Sequence, residues 1–185
     1  MNLEITQGQG NSRIADYVYE CQNSLLYHSP RFISLVSQHL NADSFWISAV
    51  RNGQLLGVLP YMVYEGPMGP VFNSLAYYGS NGGIVQKEFD LEVKKKLINT
   101  FYNEAALHKA CSATIVTNPL EKDFHLYRET SRYDCFDERI GQITELDGYT
   151  SDSQLMECFS DPRPRNIRRA IKENLEIQRT QSPQA

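Results

Sequence analysis

The pair Asn52-Gly53 constrains this chain more than any other two residues. A two-residue hairpin connection needs positive φ at its centre, which Asn and Gly tolerate, and its twist matches that of two antiparallel strands. Runs of strand character flank it, at 45–50 and 55–64, joined by Arg51-Asn52-Gly53-Gln54. In the second run Leu56, Val58 and Pro60 share one face, and Leu55, Gly57, Leu59 and Tyr61 the other. Gly57 and Pro60 inside the run predict a bulge or an edge rather than a regular central strand.

The remaining periodicity places helices around this hairpin. Leu3 to Thr6 predicts a short first strand, and Gly8-Gln9-Gly10 reads as a turn. Ile14, Tyr17, Val18 and Cys21 recur at i, i+3, i+4 and i+7, an amphipathic helix over 12–21. A second helix begins at Ser29-Pro30, carries Phe32, Ile33, Leu35, Val36 and Leu40, and ends at Asn41-Ala42-Asp43. A third strand is expected over 71–78, a glycine-rich turn over 79–83, and a long helix over 89–109. A buried strand at 112–116, a short helix at 123–130, one or two strands at 135–143 and a short helix at 153–159 follow. The predicted core is Leu35, Val36, Phe45, Ile47, Leu56, Val58, Leu97, Ile98, Phe101, Ile115 and Val116. This order predicts an α/β fold, a mixed sheet with flanking helices and an antiparallel meander in its first half.

Composition narrows the function classes. The 185 residues carry a net charge of −4, which argues against a general nucleic-acid binder. No apolar run approaches the roughly 20 residues of a membrane span. The start, MNLEITQGQG, lacks the basic and apolar regions of a signal peptide, so a cytoplasmic protein is expected. Cys21, Cys111, Cys135 and Cys158 are widely spaced thiols, and the four His are equally scattered, so no metal site is expected.

The last stretch opposes the overall charge. Residues 162–174 read PRPRNIRRAIKEN, with Pro162 and Pro164 in the expected first turn after Asp161 as N-cap. Ile167, Ala170 and Ile171 form a narrow apolar stripe, and Arg165, Arg168, Arg169 and Lys172 cover much of the rest. Asn174 ends the helix, and an alternating strand is expected from Leu175.

Four passages, in this order, resemble the FemAB family of transferases, whose halves each have the fold of the GNAT acetyltransferases. They are His28-Ser29-Pro30-Arg31-Phe32, the hairpin from Asn52 through Gly53 and Gly57 to Leu59-Pro60, the turn Tyr78-Gly79-Ser80-Asn81-Gly82-Gly83-Ile84-Val85, and the tail Arg165-Asn166-Ile167-Arg168-Arg169-Ala170-Ile171-Lys172. The resemblance implies a first GNAT-like, acceptor-binding domain over 1–150, with linker helices and the start of a second, largely missing GNAT-like domain over 151–185. It further implies acyl or aminoacyl transfer to an amine acceptor in cell-envelope biosynthesis, of peptidoglycan precursor or polysaccharide. Aminoacyl-tRNA or acyl-CoA is then the donor substrate, and no separate cofactor is expected.

Transfer from an activated ester to an amine needs positioning, a neutral amine and stabilisation of the developing oxyanion. Backbone N–H groups at Gly79, Gly82 and Gly83 can approach a ligand closely, although a plain strand connection explains the same glycines. Tyr77 and Tyr78 suit either stacking on a sugar-nucleotide acceptor or core packing. Arg165 and Arg168, with Arg31 as a weaker addition, suit a diphosphate. No residue is assigned as catalytic base. Two other readings remain open: an acetyl-CoA-dependent GNAT N-acetyltransferase, and a non-catalytic module binding an anionic sugar nucleotide or nucleic acid. Against the former, the pyrophosphate loop Q/R-x-x-G-x-G/A is not found before a helix.

Overall fold

The computed structural model describes residues 3–75, 81–131, 133–138 and 145–173. Two compact units result, Met1–Glu138 and Arg139–Ala185. The first contains β1 (Glu4–Gly8), α1 (Ser12–Glu20), α2 (Pro30–Leu40), β2 (Asp43–Arg51), β3 (Gln54–Gly66), β4 (Gly69–Ser74), α3 (Leu91–Leu107), β5 (Ser112–Ile115) and α4 (Phe124–Thr130). The second contains α5 (Asp152–Glu157) and α6 (Arg163–Lys172).

The sheet has the order β1-β2-β3-β4-β5. β1 to β4 are antiparallel neighbours, and β5 lies parallel to β4 after the α3 crossover. This is a GNAT-like mixed α/β sheet with flanking helices, grown from the Asn52-Gly53 hairpin. Asn52 has φ 53° and Gly53 φ 76°, the left-handed values that connection demands.

β3 is the middle strand of the five, which corrects the edge reading, but the bulge is present. Ala49 pairs with Gly57 while Val50 pairs with Leu55, so Leu56 is the extra residue. The bulge switches faces: Leu55 packs with Val58 and Met62, whereas Leu56 packs with Leu59 and Tyr61. Strict alternation puts Leu55 and Leu56 on the opposite faces, and fails because a bulge consumes one residue of the period-two count. Pro60 is tolerated because β4 pairs only with the second half of β3, from Met62 onward. Beside the first half, Val58 exchanges both backbone hydrogen bonds with Val85, at 3.0 and 2.9 Å. Pro60 lies between these two pairings on the same strand edge, where no ladder partner needs its missing N–H.

Helices cover both faces. On one, Ile14, Tyr17 and Val18 of α1 and Ile33 and Val36 of α2 bury Trp46, Val58 and Met62. On the other, Val93, Leu97, Ile98 and Phe101 of α3 pack over Ile47, Leu59, Tyr61 and Phe72. α3 comes close because Gly57 has no side chain; a Cβ there would stand 3.0 Å from Val93 and from Gln86.

Several core expectations are corrected. Leu35 is exposed, on the outer side of α2, because Ile33 and Val36 already fill its inward stripe. Phe45, Leu56, Ile115 and Val116 are half-buried, and β5 as a whole is only partly covered because it is the sheet's outer strand. Residues 135–138 form no strand, and the rest of that expected strand, like Asn174 and the strand from Leu175, lies outside the described residues. α6 begins at Arg163 with Pro162 as its cap residue, one position later than an Asp161 cap requires.

Candidate functional site

Parallel strands joined by a helical crossover leave a crevice outside their carboxyl ends, where ligands settle in open α/β sheets. In this chain the parallel pair is β4 and β5, whose carboxyl ends are Ser74 and Ile115. The segments leaving those ends determine what the crevice can do.

Gly82 and Gly83 bond to residues at and just beyond the ends of the two strands. The Gly82 N–H donates to Val116 O at 2.8 Å, and the Gly83 N–H donates to Ser74 Oγ at 3.2 Å. A Cβ on Gly82 would lie 2.2 Å from Ser74 O, so only glycine passes there. The Ile84 N–H donates to the Tyr127 hydroxyl at 3.0 Å, and burial pushes that phenol well above its ordinary pKa. Completely buried His28 holds the other side: its Nδ1 accepts from the Leu25 N–H at 2.9 Å, and its Nε2 lies 3.1 Å from Gly82 O. These partners place the ring hydrogen on Nε2, and burial lowers the His28 pKa.

Beside this turn opens a cleft of about 730 Å³. Glu20 and Asn23 line it from the end of α1, Gln86, Lys87 and Phe89 from the approach to α3, and Lys94 from α3 itself. The connection from β5 into α4 adds Glu121 and Asp123. Lys94 is only 2% exposed and is ion-paired with both Glu121 and Asp123. Its ammonium also stands 5.3 Å from the centroid of the Phe89 ring. Burial raises the Glu121 pKa; Lys94 opposes that shift, and neighbouring Asp123 adds to it. The Asn23 side-chain amide donates to Glu121, and Asn118 Nδ2 donates to Asn23 O at 2.6 Å. The loop after α1 is thus tied to the loop after β5.

The start of α3 is anionic. Asp90 caps the helix by accepting from the Val93 N–H at 3.1 Å, and Glu92 lies in the first turn. Arg51 bridges both carboxylates, at 3.4 and 2.9 Å. Free N–H groups at a helix N-terminus attract phosphate, but here carboxylates already stand at that position. These residues do not suit a pyrophosphate.

The sequence-derived candidates are dispersed. Gly82 and Gly83 are buried against Ser74, Val116 and His28, with their N–H groups engaged by the protein itself. Tyr77, Tyr78 and Gly79 lie outside the described residues. Arg31 is exposed in the first turn of α2. Arg165 and Arg168 are exposed on α6, in the second unit, as are Ile167 and Ile171 of its apolar stripe. The cleft residues Asn23, Gln86, Lys94, Glu121 and Asp123 carried no sequence expectation. A signal existed for one of them: Lys94 stands at i before Leu97, Ile98 and Phe101, a charge in the apolar stripe of its helix. A lysine there must find buried carboxylates.

No family model matches the sequence, and no curated protein matches it. Among solved structures, the fold is similar to a ribosomal-protein-alanine N-acetyltransferase from Brucella melitensis biovar Abortus 2308, with 13% identity and a TM-score of 0.51 over 77% of this chain and 100% of that one. A probable acetyltransferase aligns at 15% identity and a TM-score of 0.48, over 77% of this chain and 99% of that one. An aminoglycoside acetyltransferase from an uncultured soil metagenomic sample aligns at 16% identity and 0.45, over 78% and 96%. The first of these likenesses supports the GNAT-like architecture. Among the described residues no helix is long and apolar enough to cross a membrane, and no His, Cys, Asp and Glu group could hold a metal ion.

Proposed function

We propose that this chain is a GNAT-like acyl-transfer domain that receives an amine acceptor in the cleft between α1, α3 and α4. The observation that carries the reading is the cleft's lining, drawn from the segments that lead into α3 and from β5 to α4 and including largely buried carboxylates. Acyl transfer to nitrogen requires the amine to lose a proton and its lone pair to face the acyl carbon. A carboxylate whose pKa burial has raised, as at Glu121, is better matched to accepting that proton than an ordinary surface acid. The N–C bond then forms as the bond to the donor's oxygen or sulfur breaks, and the leaving group takes up a proton.

Two donor classes enter this proposal. An acyl-CoA thioester is favoured by the likeness to a solved ribosomal-protein-alanine N-acetyltransferase. An aminoacyl-tRNA ester, with a cell-envelope amine as acceptor, follows from the FemAB-like passages. The anionic start of α3 favours it, because a CoA pyrophosphate has no helix N-terminus to sit on there. In that second reading Arg165 and Arg168, both on α6, bind an anionic group through charge-assisted bonds.

The experiment offers the protein acetyl-CoA or aminoacyl-tRNA against lysine-containing peptides and amino-sugar nucleotides, and reads amide product by mass. The proposal expects an amide from one donor class, lost in Glu121→Gln. No amide from any pairing overturns it. Tight, stoichiometric CoA binding by calorimetry decides for the thioester.

A further inference from the structure

We infer that α6 docks on the surface of a bilayer rich in anionic lipid, with Ile167 and Ile171 at the acyl boundary and its basic side chains among the phosphate head groups. This names the anion that Arg165 and Arg168 meet, and it holds whether or not the cleft transfers an acyl group.

α6 is ten residues long, and all of it except half-buried Pro164 is exposed. A helix that short is marginal in water unless something covers one face. Turning by about 100° per residue, it sorts its side chains. Pro164, Ile167, Ala170 and Ile171 fall on one side, and Arg165, Arg168, Arg169 and Lys172 on the other. Arg163 stands over the apolar side at the start of the helix. Ile167 is 36% exposed and Ile171 66%, so the apolar side lies open to water.

The cations are equally unused. Arg169 and Lys172 stand in the last turn, where the helix dipole favours positive charge. Arg165 and Arg168 have no such reason for their positions. Among the described residues, no ion pair includes any basic residue of α6. This density of positive charge stands out in a chain of net charge −4.

An anionic bilayer answers both faces at once. A helix with a strongly basic polar face, an apolar stripe opposite it and low overall hydrophobicity lies in the plane of a membrane interface. The isoleucines enter the acyl boundary, while the long Arg and Lys stems reach back to the phosphates. Each basic residue near such a surface strengthens binding by roughly fivefold. RNA would meet the cations and leave both isoleucines in water. A protein groove takes a helix by anchors spread over two turns, whereas α6 offers isoleucine at 167 and 171 alone.

The test is co-sedimentation of the protein with vesicles of phosphatidylglycerol and phosphatidylcholine in equal parts, at about 0.1 M salt. Vesicles of phosphatidylcholine alone and polyuridylate form parallel arms. The protein should bind the mixed vesicles, lose them at about 0.5 M salt, and ignore phosphatidylcholine. Arg165→Gln/Arg168→Gln should weaken binding at least tenfold. Ile167→Ala/Ile171→Ala should weaken it about tenfold, by removing apolar area from the interface. Neither pair lowers helix propensity, since Ala ranks above Ile and Gln matches Arg. All four positions are exposed, so the fluorescence of buried Trp46 should stay as in wild type. Equal binding to phosphatidylcholine, no binding to the mixed vesicles, or wild-type affinity in either folded variant overturns the proposal. Equal loss of polyuridylate binding in the isoleucine pair also overturns it, since lipid alone should sense those side chains. Vesicle binding without acyl transfer leaves this surface standing and removes the function proposed above. Acyl transfer without vesicle binding does the reverse.

Discussion

Replacing Gly82 by Ala separates the two meanings of a glycine-rich turn. If the turn cradles a ligand, the added methyl lowers binding and leaves the fold intact. If it is a packing element, the fold suffers first. The contacts favour the latter. The new Cβ would stand 2.2 Å from Ser74 O and 2.8 Å from both Ser74 C and Ser74 Oγ. Two of those atoms belong to backbone at the end of β4, and cannot rotate away as a side-chain tip would. Displacing them by about an ångström costs about 1–3 kcal/mol, the range for inserting a group into a packed interior. The same movement pulls on the bonds from Gly82 to Val116, from His28 to Gly82 and from Gly83 to Ser74. One buried group left unbonded adds about 1–3 kcal/mol. The sum, about 2–6 kcal/mol, is a large part of the 5–15 kcal/mol typical of a domain.

Urea unfolding followed by fluorescence gives the number, with Trp46 as a buried reporter beside Met62 and Val58. Gly53→Ala is the matching control. It meets no atom within 4 Å, but its φ of 76° makes any side chain strained, by roughly 1–2 kcal/mol. Gly82 does not share that strain, since it is not among the positive-φ positions. A Gly82→Ala loss within about 0.5 kcal/mol, the usual surface range, would refute the packing argument.

Other perturbations follow the same structure. Leu97→Ala, at a fully buried position, should lose about 2–5 kcal/mol in urea unfolding, whereas Leu35→Ala should stay within about 0.5 kcal/mol. Lys94→Met should destabilise by about 3–5 kcal/mol by leaving two carboxylates unpaired, while Lys87→Met, at an exposed pair, should change stability far less. For His28, burial holds the folded pKa below the ordinary 6.5, so the unfolded chain binds more protons between the two values. Its stabilising contribution is therefore complete above about pH 6.5 and declines as pH falls below it. Unfolding midpoints at pH 7.5 and 5.5 should differ more for wild type than for His28→Asn; an equal difference removes His28 as the cause.

Where the fold was legible, local chemistry and tertiary packing agreed. Asn52-Gly53 needed no context, because its backbone conformation is a property of those two residues. α2 was readable for a similar reason: Ser29 accepts from the Phe32 N–H, Pro30 fills the first turn, and Asn41 closes it at φ 50°. Gly57 and Pro60 announced that β3 was irregular, and it is, but not that it lies at the centre of the sheet. That depends on where β4 starts to pair, which no residue of β3 states. Leu55 and Leu56 exchanged faces because one bulged residue breaks the alternation, and the sequence gives no sign of which residue bulges. Leu35 misled because a helical stripe three residues wide has edges, and an apolar edge residue can point past its neighbours.

The cleft was harder to read because chain order scatters its parts. Asn23 follows one helix, Gln86 precedes another, and Glu121 and Asp123 flank Lys122 in a polar loop. Each is unremarkable among the 22 acidic and many amide residues of the chain, so composition hides them. What joins them is Lys94, whose position on the apolar side of α3 drives its ammonium toward the carboxylates of Glu121 and Asp123. A charged residue inside an apolar stripe therefore carries more information than a basic run on an exposed helix. The five basic residues of α6 can all be solvated where they stand. Lys94 cannot, and the loop from β5 must supply Glu121 and Asp123 to it. That requirement fixes the loop against α3 and brings the loop after α1 with it through Asn23, which bonds to Glu121 and Asn118.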